Sequence, residues 1–447
     1  MIFVILEFAI IIYIGYLVTW VIIKKARLLE RLGLSYLLGI GLYTLLVYFY
    51  SMIGLKINLL SLMISAFLSI ALLTIILRKI KYTINLNIAF KNNMYIFGKM
   101  PRIDRLILYT IIFFCFLSFV IALYQPITVW DALALYDFRA KIIASQGYFG
   151  QIVGNFNYFA HYPLLTSLAH TFVYIIGDHN PQFIYPLFLI SFVFVFYALV
   201  RHYSSQRASL LACLFLVTSP IYFEHSTIAY TNLPYAVYFS LGIIYLYKYL
   251  IDRNNSLIVP VALLIGLSTW VRSDYPFWAV PLVFVVVYSI ISKKYSGVLL
   301  YTAIFLSIQQ PWRIFQASLF GKSYTTLGQI NYGVEGIARG INIEKLLDII
   351  HFIYRNIIVS WGTLFLLFMV ILTIEIRSIF RSKKWIFILL LLGNLSLIIL
   401  GTLAFSDSFS EWKEIPDSAN RMSMFFIPLF IYFIATSNVV NDVILKK

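Results

Sequence analysis

The chain is a succession of apolar runs, most of them long enough to form a membrane helix, joined by mostly short polar connections. A helix needs about 20 predominantly apolar residues to cross a bilayer, because every backbone polar group must be bonded internally there. Such runs lie near Phe3–Ile23, Leu34–Ile53, Leu59–Leu77, Leu106–Tyr124, Pro181–Val200, Ala208–Phe223 and Leu233–Leu250. They continue near Leu257–Trp270, Pro276–Ile291, Val298–Trp312, Ile349–Ile374, Trp385–Leu403 and Met422–Ala435. The expected fold class is therefore an all-α polytopic membrane protein of about 13 transmembrane helices. A mean hydropathy of +0.90, with only 12% charged residues, excludes a soluble globular chain.

The formal net charge of +16 does not point to nucleic acid, because Lys and Arg collect in short loops between apolar runs rather than on one polar face. Those loops are Lys24–Arg31, Arg78–Arg105 with seven cations against one acid, Arg201/Arg207, Lys248/Arg253, Lys293/Lys294 and Arg377–Lys384. The positive-inside rule places them in the cytoplasm. Segments Gln125–Asn180, Ser219–Asn232, the Arg272 corner, Arg313–Lys345 and Phe405–Asn420 then face outward. A crossing at His161–Ile176 would invert every later loop, so this stretch and the amphipathic Asp131–Tyr148 are read as interfacial helices in the first large outer loop. The first apolar run has no basic region before it and reads as a retained helix, not a signal peptide. Cys115 and Cys213 both fall inside apolar runs and behave as small hydrophobes.

Against this background, Trp130 to Lys141 is a charged island at the outer end of a span. Ionisable groups near lipid are costly, which makes them default candidates for a site. Asp131 and Asp137 are six residues apart, about 120° around an α-helix, so they do not form an adjacent carboxylate pair. Asp137 and Lys141 have the i, i+4 spacing of a local ion pair. Asp131 has no such partner, with Arg139 eight residues away. It reads either as an N-cap or as a general base at the membrane surface.

Two further cations stand at outer helix ends. Arg272 lies in Trp270-Val271-Arg272-Ser273-Asp274-Tyr275-Pro276, where Ser273 or Asp274 can cap the helix that Pro276 begins and Arg272 can snorkel. A guanidinium between two apolar helices is also well placed to hold a lipid-borne phosphate. Arg421, after Asn420, stands before the last span. His161 reads as an interfacial hydrogen-bonding residue rather than a metal ligand, and no HExxH or Cys-rich spacing appears, so a divalent metal is possible but unsupported. Glycine-rich phosphate loops and nucleotide-fold patterns are also missing, which favours a donor that arrives in the bilayer.

Taken in order, Trp130-Asp131-Ala132, Arg139-Ala140-Lys141, His161-Tyr162-Pro163-Leu164-Leu165, Ala229-Tyr230-Thr231-Asn232-Leu233-Pro234, Thr269-Trp270-Val271-Arg272-Ser273-Asp274 and Ser418-Ala419-Asn420-Arg421 carry a likeness. From about Leu106 to Ala435 the chain resembles the GT-C superfamily of polytopic glycosyltransferases. The resemblance is to family 39-like bacterial members, related to protein O-mannosyltransferases and lipid A aminoarabinose transferases. It implies a GT-C-type fold in which the aspartate of the first outer loop, here Asp131, is the catalytic base. Such relatives often carry a basic residue and an acid at the places of Arg272 and Asp274, and an Asn-Arg before the last span. A second acid is common where this chain has Asn232, which supplies no charge for a metal or sugar.

Together these readings divide the chain into three extra N-terminal helices with a basic loop (1–105), a GT-C-like catalytic module (106–312) and an outer loop with C-terminal helices (313–447). The expected function is an inverting sugar transfer from a polyprenyl-phosphate donor to a hydroxyl of a lipid, glycan or protein acceptor. It would occur on the outer face of the plasma (inner) membrane, with no nucleic-acid partner. Asp131 is the expected base, and Arg272 and Arg421 bind the donor phosphate. Asp137, Arg139, Lys141, His161, Asn232, Asp274 and Asn420 are candidate substrate contacts. The competing expectations are a lipid-linked sugar transporter or flippase, for which no internal repeat is evident, and a polysaccharide polymerase or ligase.

Overall fold

A computed structural model describes residues 2–23, 25–80, 100–148, 162–177, 179–273, 275–320, 342–408, 411–414 and 416–444. Among these residues every regular element is helical. They fall into two compact units, one within 1–159, 164–237 and 440–447, the other within 160–163 and 238–439.

The first unit contains α1 (Ile2–Ile22), α2 (Leu28–Met52), α3 (Leu59–Lys79) and α4 (Arg102–Tyr124). A π-helix (Ala132–Asp137) then leads into α5 (Phe138–Gln146), followed by α6 (Leu165–Ile176), α7 (Ile184–Tyr203), α8 (Gln206–Thr218), α9 (Pro220–His225) and the start of α10 (Asn232–Asp252). Small residues let the first helices close on one another, as is usual where lipid tails remove any hydrophobic drive between spans. A Cβ at Gly15 would strike the Ser35 carbonyl, and one at Gly39 the Ile11 carbonyl, so the α1–α2 contact depends on both glycines. Helix α3 starts from a reciprocal cap: Ser61 N–H donates to Asn58 Oδ1 at 2.9 Å, and Asn58 N–H donates to Ser61 Oγ at 3.0 Å.

The second unit contains α11 (Ile258–Val271), α12 (Ala279–Ser292), α13 (Ser296–Phe320), α14 (Ile343–Ile353), α15 (Val359–Arg381), α16 (Trp385–Ser408), α17 (Pro416–Met422) and α18 (Phe426–Ala435). Aromatic side chains dominate its packing. Trp361 lies 5.1 Å from Phe426 and 5.0 Å from Phe430 between ring centroids, and Phe368 lies 4.5 Å from Phe430.

Each of the apolar runs read from the sequence falls on helix, and the all-α polytopic class holds. Among the described residues seven helical segments are long and apolar enough to cross a membrane on their own, while others, such as Gln206–Thr218 and Phe426–Ala435, are shorter apolar helices of 10–17 residues. Three boundaries differ from the sequence reading for identifiable reasons. The run Ala208–Phe223 is broken at Ser219, where Pro220 opens a new turn at the helix position that tolerates a missing N–H. The run Ile349–Ile374 is divided by a π-turn (Tyr354–Ile358) and by Gly362, whose φ of 55° is accessible to glycine at little cost. Helix α13 does not stop at Trp312 but runs through Pro311 to Phe320, so the outer connection begins later than Arg313.

Helix α6 also differs from an interfacial helix with one wet face. Leu165 to Val173 are buried without interruption, packed against α1, α2 and α5. The Asn342 side chain accepts from Glu344 N–H at 3.1 Å and starts α14, the amphipathic helix that follows the outer connection.

Candidate active site

Much of the charged island is occupied by contacts within itself and with α6. Asp137 closes the π-helix and is 2% exposed. Its carboxylate accepts from the Tyr174 hydroxyl at 2.5 Å and pairs with Lys141 Nζ at 2.9 Å. His170 Nδ1 lies 3.2 Å from the same carboxylate, and its Nε2 lies 3.2 Å from the Tyr185 hydroxyl. A ring carrying its proton on Nδ1 donates to Asp137 and accepts from Tyr185, so one tautomer satisfies both neighbours. Burial by itself would raise the Asp137 pKa, but the His170, Tyr174 and Lys141 contacts outweigh it and hold the group at about 2. Arg139 is equally enclosed: its Nε donates to Ser167 Oγ at 3.0 Å, and its guanidinium lies 5.8 Å from the Tyr136 ring. Lys141 remains 57% exposed and reaches Asp137 from the surface.

Asp131 is different. It is half-buried at the head of the π-helix and makes no side-chain capping bond, so the N-cap alternative does not describe it. The π-turn was not anticipated, and it changes the angular relation between Asp131 and Asp137, since a wider turn advances less than 100° per residue. Single π-turns are frequent at functional sites because they re-aim side chains within an otherwise regular helix. Tyr136, within that turn, shares a hydrogen bond of 3.0 Å with Thr231 Oγ1. Thr231 directly precedes Asn232, the buried first residue of α10, so the turn is tied to the start of that helix.

Arg272 belongs to the second unit. It ends α11 in an extended conformation, and its guanidinium lies 4.3 Å from the Tyr275 ring and 4.8 Å from the Tyr162 ring. Its Nη2 is 3.5 Å from the Tyr162 hydroxyl. The position before the Pro276–Trp278 turn is Tyr275, and among the described residues no side chain caps that turn, so the capping role considered for Ser273 is not realised. Instead the Ser273 carbonyl accepts from Arg313 Nη2 on α13. Arg313 is itself buried, and Trp312 beside it packs edge-on to Trp270 at 6.3 Å. The Arg272 corner is thus held from below by a second arginine.

The segment after Arg421 approaches the same corner through aromatic rings. Phe425 lies 4.8 Å from Phe277, which lies 5.8 Å from Tyr275. Arg421 and Asn420 are half-buried on α17, and Ser423 just beyond accepts from the Trp361 indole at 3.3 Å. His161 and Asp274 lie outside the described residues.

Sequence reasoning missed Arg313, although its signal was present. Gln309, Arg313 and Gln316 recur at i, i+4 and i+7 and are all buried, a polar stripe along one face of an apolar helix. His170 and Tyr174 carried no comparable mark, because their role exists only against Asp137. Asp137 and His170 are of types that bind metals, yet both are engaged in the bonds above. Among the described residues no group of three or more His, Cys, Asp or Glu gathers.

Residues 160–315 match the family described as dolichyl-phosphate-mannose-protein mannosyltransferase. The match contains Asn232, Arg272 and Arg313 but stops short of Asp131 on one side and Arg421 on the other. It bears out the resemblance to the GT-C superfamily, and the coarse reading that follows is a multi-pass membrane glycosyltransferase of that type. Comparison with curated proteins and with solved structures finds no match.

Proposed function

We propose that the protein transfers a sugar from a polyprenyl-phosphate donor to an acceptor hydroxyl, with inversion, at the outer face of the plasma membrane. The observation that carries this reading is the contrast between the two aspartates of the island. A general base works best with a pKa near the operating pH, and Asp137, held at about 2, is far from that range. Asp131, half-buried and not serving as a cap, is therefore the carboxylate of the island proposed for the role.

In the reaction, the acceptor hydroxyl gives its proton to the Asp131 carboxylate as its oxygen bonds to the anomeric carbon. The bond from that carbon to the donor phosphate oxygen breaks, and its electron pair leaves with the polyprenyl phosphate. One displacement inverts the anomeric centre. The leaving phosphate gains a negative charge and needs no proton, so cations suffice to stabilise it. Arg272 and Arg421 are assigned that task. A guanidinium stacked between rings donates in its own plane, toward the edge where phosphate oxygens bind two at a time. Asn232 and Asn420 are neutral contacts for the sugar. The acceptor, whether lipid, glycan or protein, arrives from the outer side, where the sparse basic residues also place the island.

The test is release of free polyprenyl phosphate from a panel of lipid-linked sugars, in membranes holding wild type or Asp131→Asn at matched expression. Turnover of one donor that disappears in the variant supports the reading. Equal turnover removes Asp131 from the chemistry, and no release from any donor with acceptor extract present overturns the transferase assignment.

A further inference from the structure

The first unit contains a cavity of about 1030 Å³, at the upper end of the range of roughly 300–1,000 Å³ typical for ligand sites. It opens between the start of α2, α4, α7 and α8. Its walls are almost wholly apolar, from Leu108 to Phe119 on α4 and from Ile190 upward on α7. Its polar lining is confined to one end, where Arg27, Arg201 and Gln206 meet beside Tyr197. Among the described residues no carboxylate lines it. Asp104 accepts from Arg207 Nε at 2.8 Å, and Glu30, three residues after Arg27, accepts from the Arg27 backbone N–H at 3.2 Å. Arg201 Nη1 donates to the Ser204 carbonyl at 2.7 Å, and a guanidinium carries four further N–H donors.

The dimensions match one leaflet. Leu108 to Phe119, and Ile190 to Arg201, each span eleven helical steps, about 16 Å of rise. Half of a hydrocarbon core is about 15 Å. The two helices run in opposite directions, so the low-numbered end of the α4 wall and the Arg201 end of α7 lie at the same membrane face. That is the face whose loops are rich in Lys and Arg, opposite the one that bears the charged island. A groove of acyl-chain length with two guanidinium groups at the headgroup level is complementary to an anionic lipid and offers a zwitterionic one no partner for its cationic part.

We propose that this groove is a binding site for an anionic phospholipid of the leaflet opposite the transfer site, with its acyl chain along α4 and α7 and its phosphate between Arg27 and Arg201. The site is separate from the donor position and does not depend on the transfer chemistry. Its occupant packs Cys115 and Cys213 from the groove side and fastens α4 to α7 and α8.

Native mass spectrometry of the full chain, released from nanodiscs holding equal amounts of phosphatidylglycerol and phosphatidylcholine with identical tails, tests it. Wild type is expected to retain the anionic lipid about thirtyfold over the zwitterionic one, the order expected for two cations facing an anionic headgroup. The Arg27→Gln/Arg201→Gln double variant is expected to lose that preference, while Lys293→Gln/Lys294→Gln keeps it. Ala198→Phe, which fills the groove, is expected to lose both lipids. Thermal melting of each variant verifies that it folds. Equal retention of the two lipids by wild type overturns the proposal, as does an unchanged preference in the double arginine variant. Retention of no lipid by wild type also overturns it.

Discussion

The island at the head of α5 and the corner at the end of α11 both hold charge at a helix end, and they hold it by opposite means. At the island, Asp137 and Arg139 are surrounded by hydrogen-bonding partners, so their polar atoms are committed to the fold. At the corner, Arg272 is gripped through the faces of two tyrosine rings. Stacking secures a guanidinium through its faces, and Nη2 of Arg272 also reaches the Tyr162 hydroxyl at 3.5 Å. The island holds its charges mainly with opposite charges and hydrogen bonds, the corner mainly with aromatic rings. Asp131, half-buried at the head of the π-helix, makes no capping bond there.

The comparison is broken or sharpened first by the two aspartates. Asp131→Asn is expected to lower kcat by about 10²–10⁴-fold, the usual share of a general base, with unchanged melting. A variant with near wild-type kcat and a lowered melting temperature would reverse the assignment of the two carboxylates. Asp137→Ala is expected to cost about 3–5 kcal/mol of stability, because it strips the partner from buried His170 and Tyr174. Melting in detergent measures this, and an undisturbed fold would show the network to be incidental. Arg272→Gln is expected to reduce kcat by about 10²–10³-fold with little change in melting, as removal of a charge-stabilising donor does. A loss of stability instead would make Arg272 part of the scaffold.

The pH response is smaller. The Asp137 pKa is depressed in the folded state, from its ordinary value of 3.8 to about 2, so its stabilisation is fully present above the unfolded pKa. It fades as pH falls from about 4 toward 2 and amounts to roughly 2 kcal/mol. Melting between pH 7 and pH 3 should show a slope that Asp137→Asn flattens; an identical slope in the variant would assign the acid sensitivity to other groups. The smallest effect belongs to the stack. Tyr275→Leu is expected to weaken donor binding by a few-fold, consistent with about 0.5–2 kcal/mol for a cation–π contact, visible in KM more than in kcat.

Helical character and approximate helix positions were legible because apolar run length is a local property, and the i, i+4 pair of Asp137 and Lys141 was legible for the same reason. Helix ends were less so. The run read as ending near Trp312 continues as α13 to Phe320, through Pro311 and with buried Gln309, Arg313 and Gln316 on its inner face. The capping role weighed for Ser273 also failed, since the next turn starts at Tyr275 and the Ser273 carbonyl serves Arg313 instead. The π-turn at Ala132–Asp137 had no signature in composition or spacing.

The sequence by itself determined that this is a helical, multi-pass protein with its cations gathered in particular loops, because bilayer thickness and backbone bonding act on each segment separately. Only the tertiary structure decided which charged residues are committed to the fold. His170 and Tyr174 reach Asp137 across 33 and 37 residues, and Tyr162 reaches Arg272 across 110. The state of a carboxylate or a guanidinium depends on what surrounds it in space, and neighbours that far along the chain meet only when the helices pack.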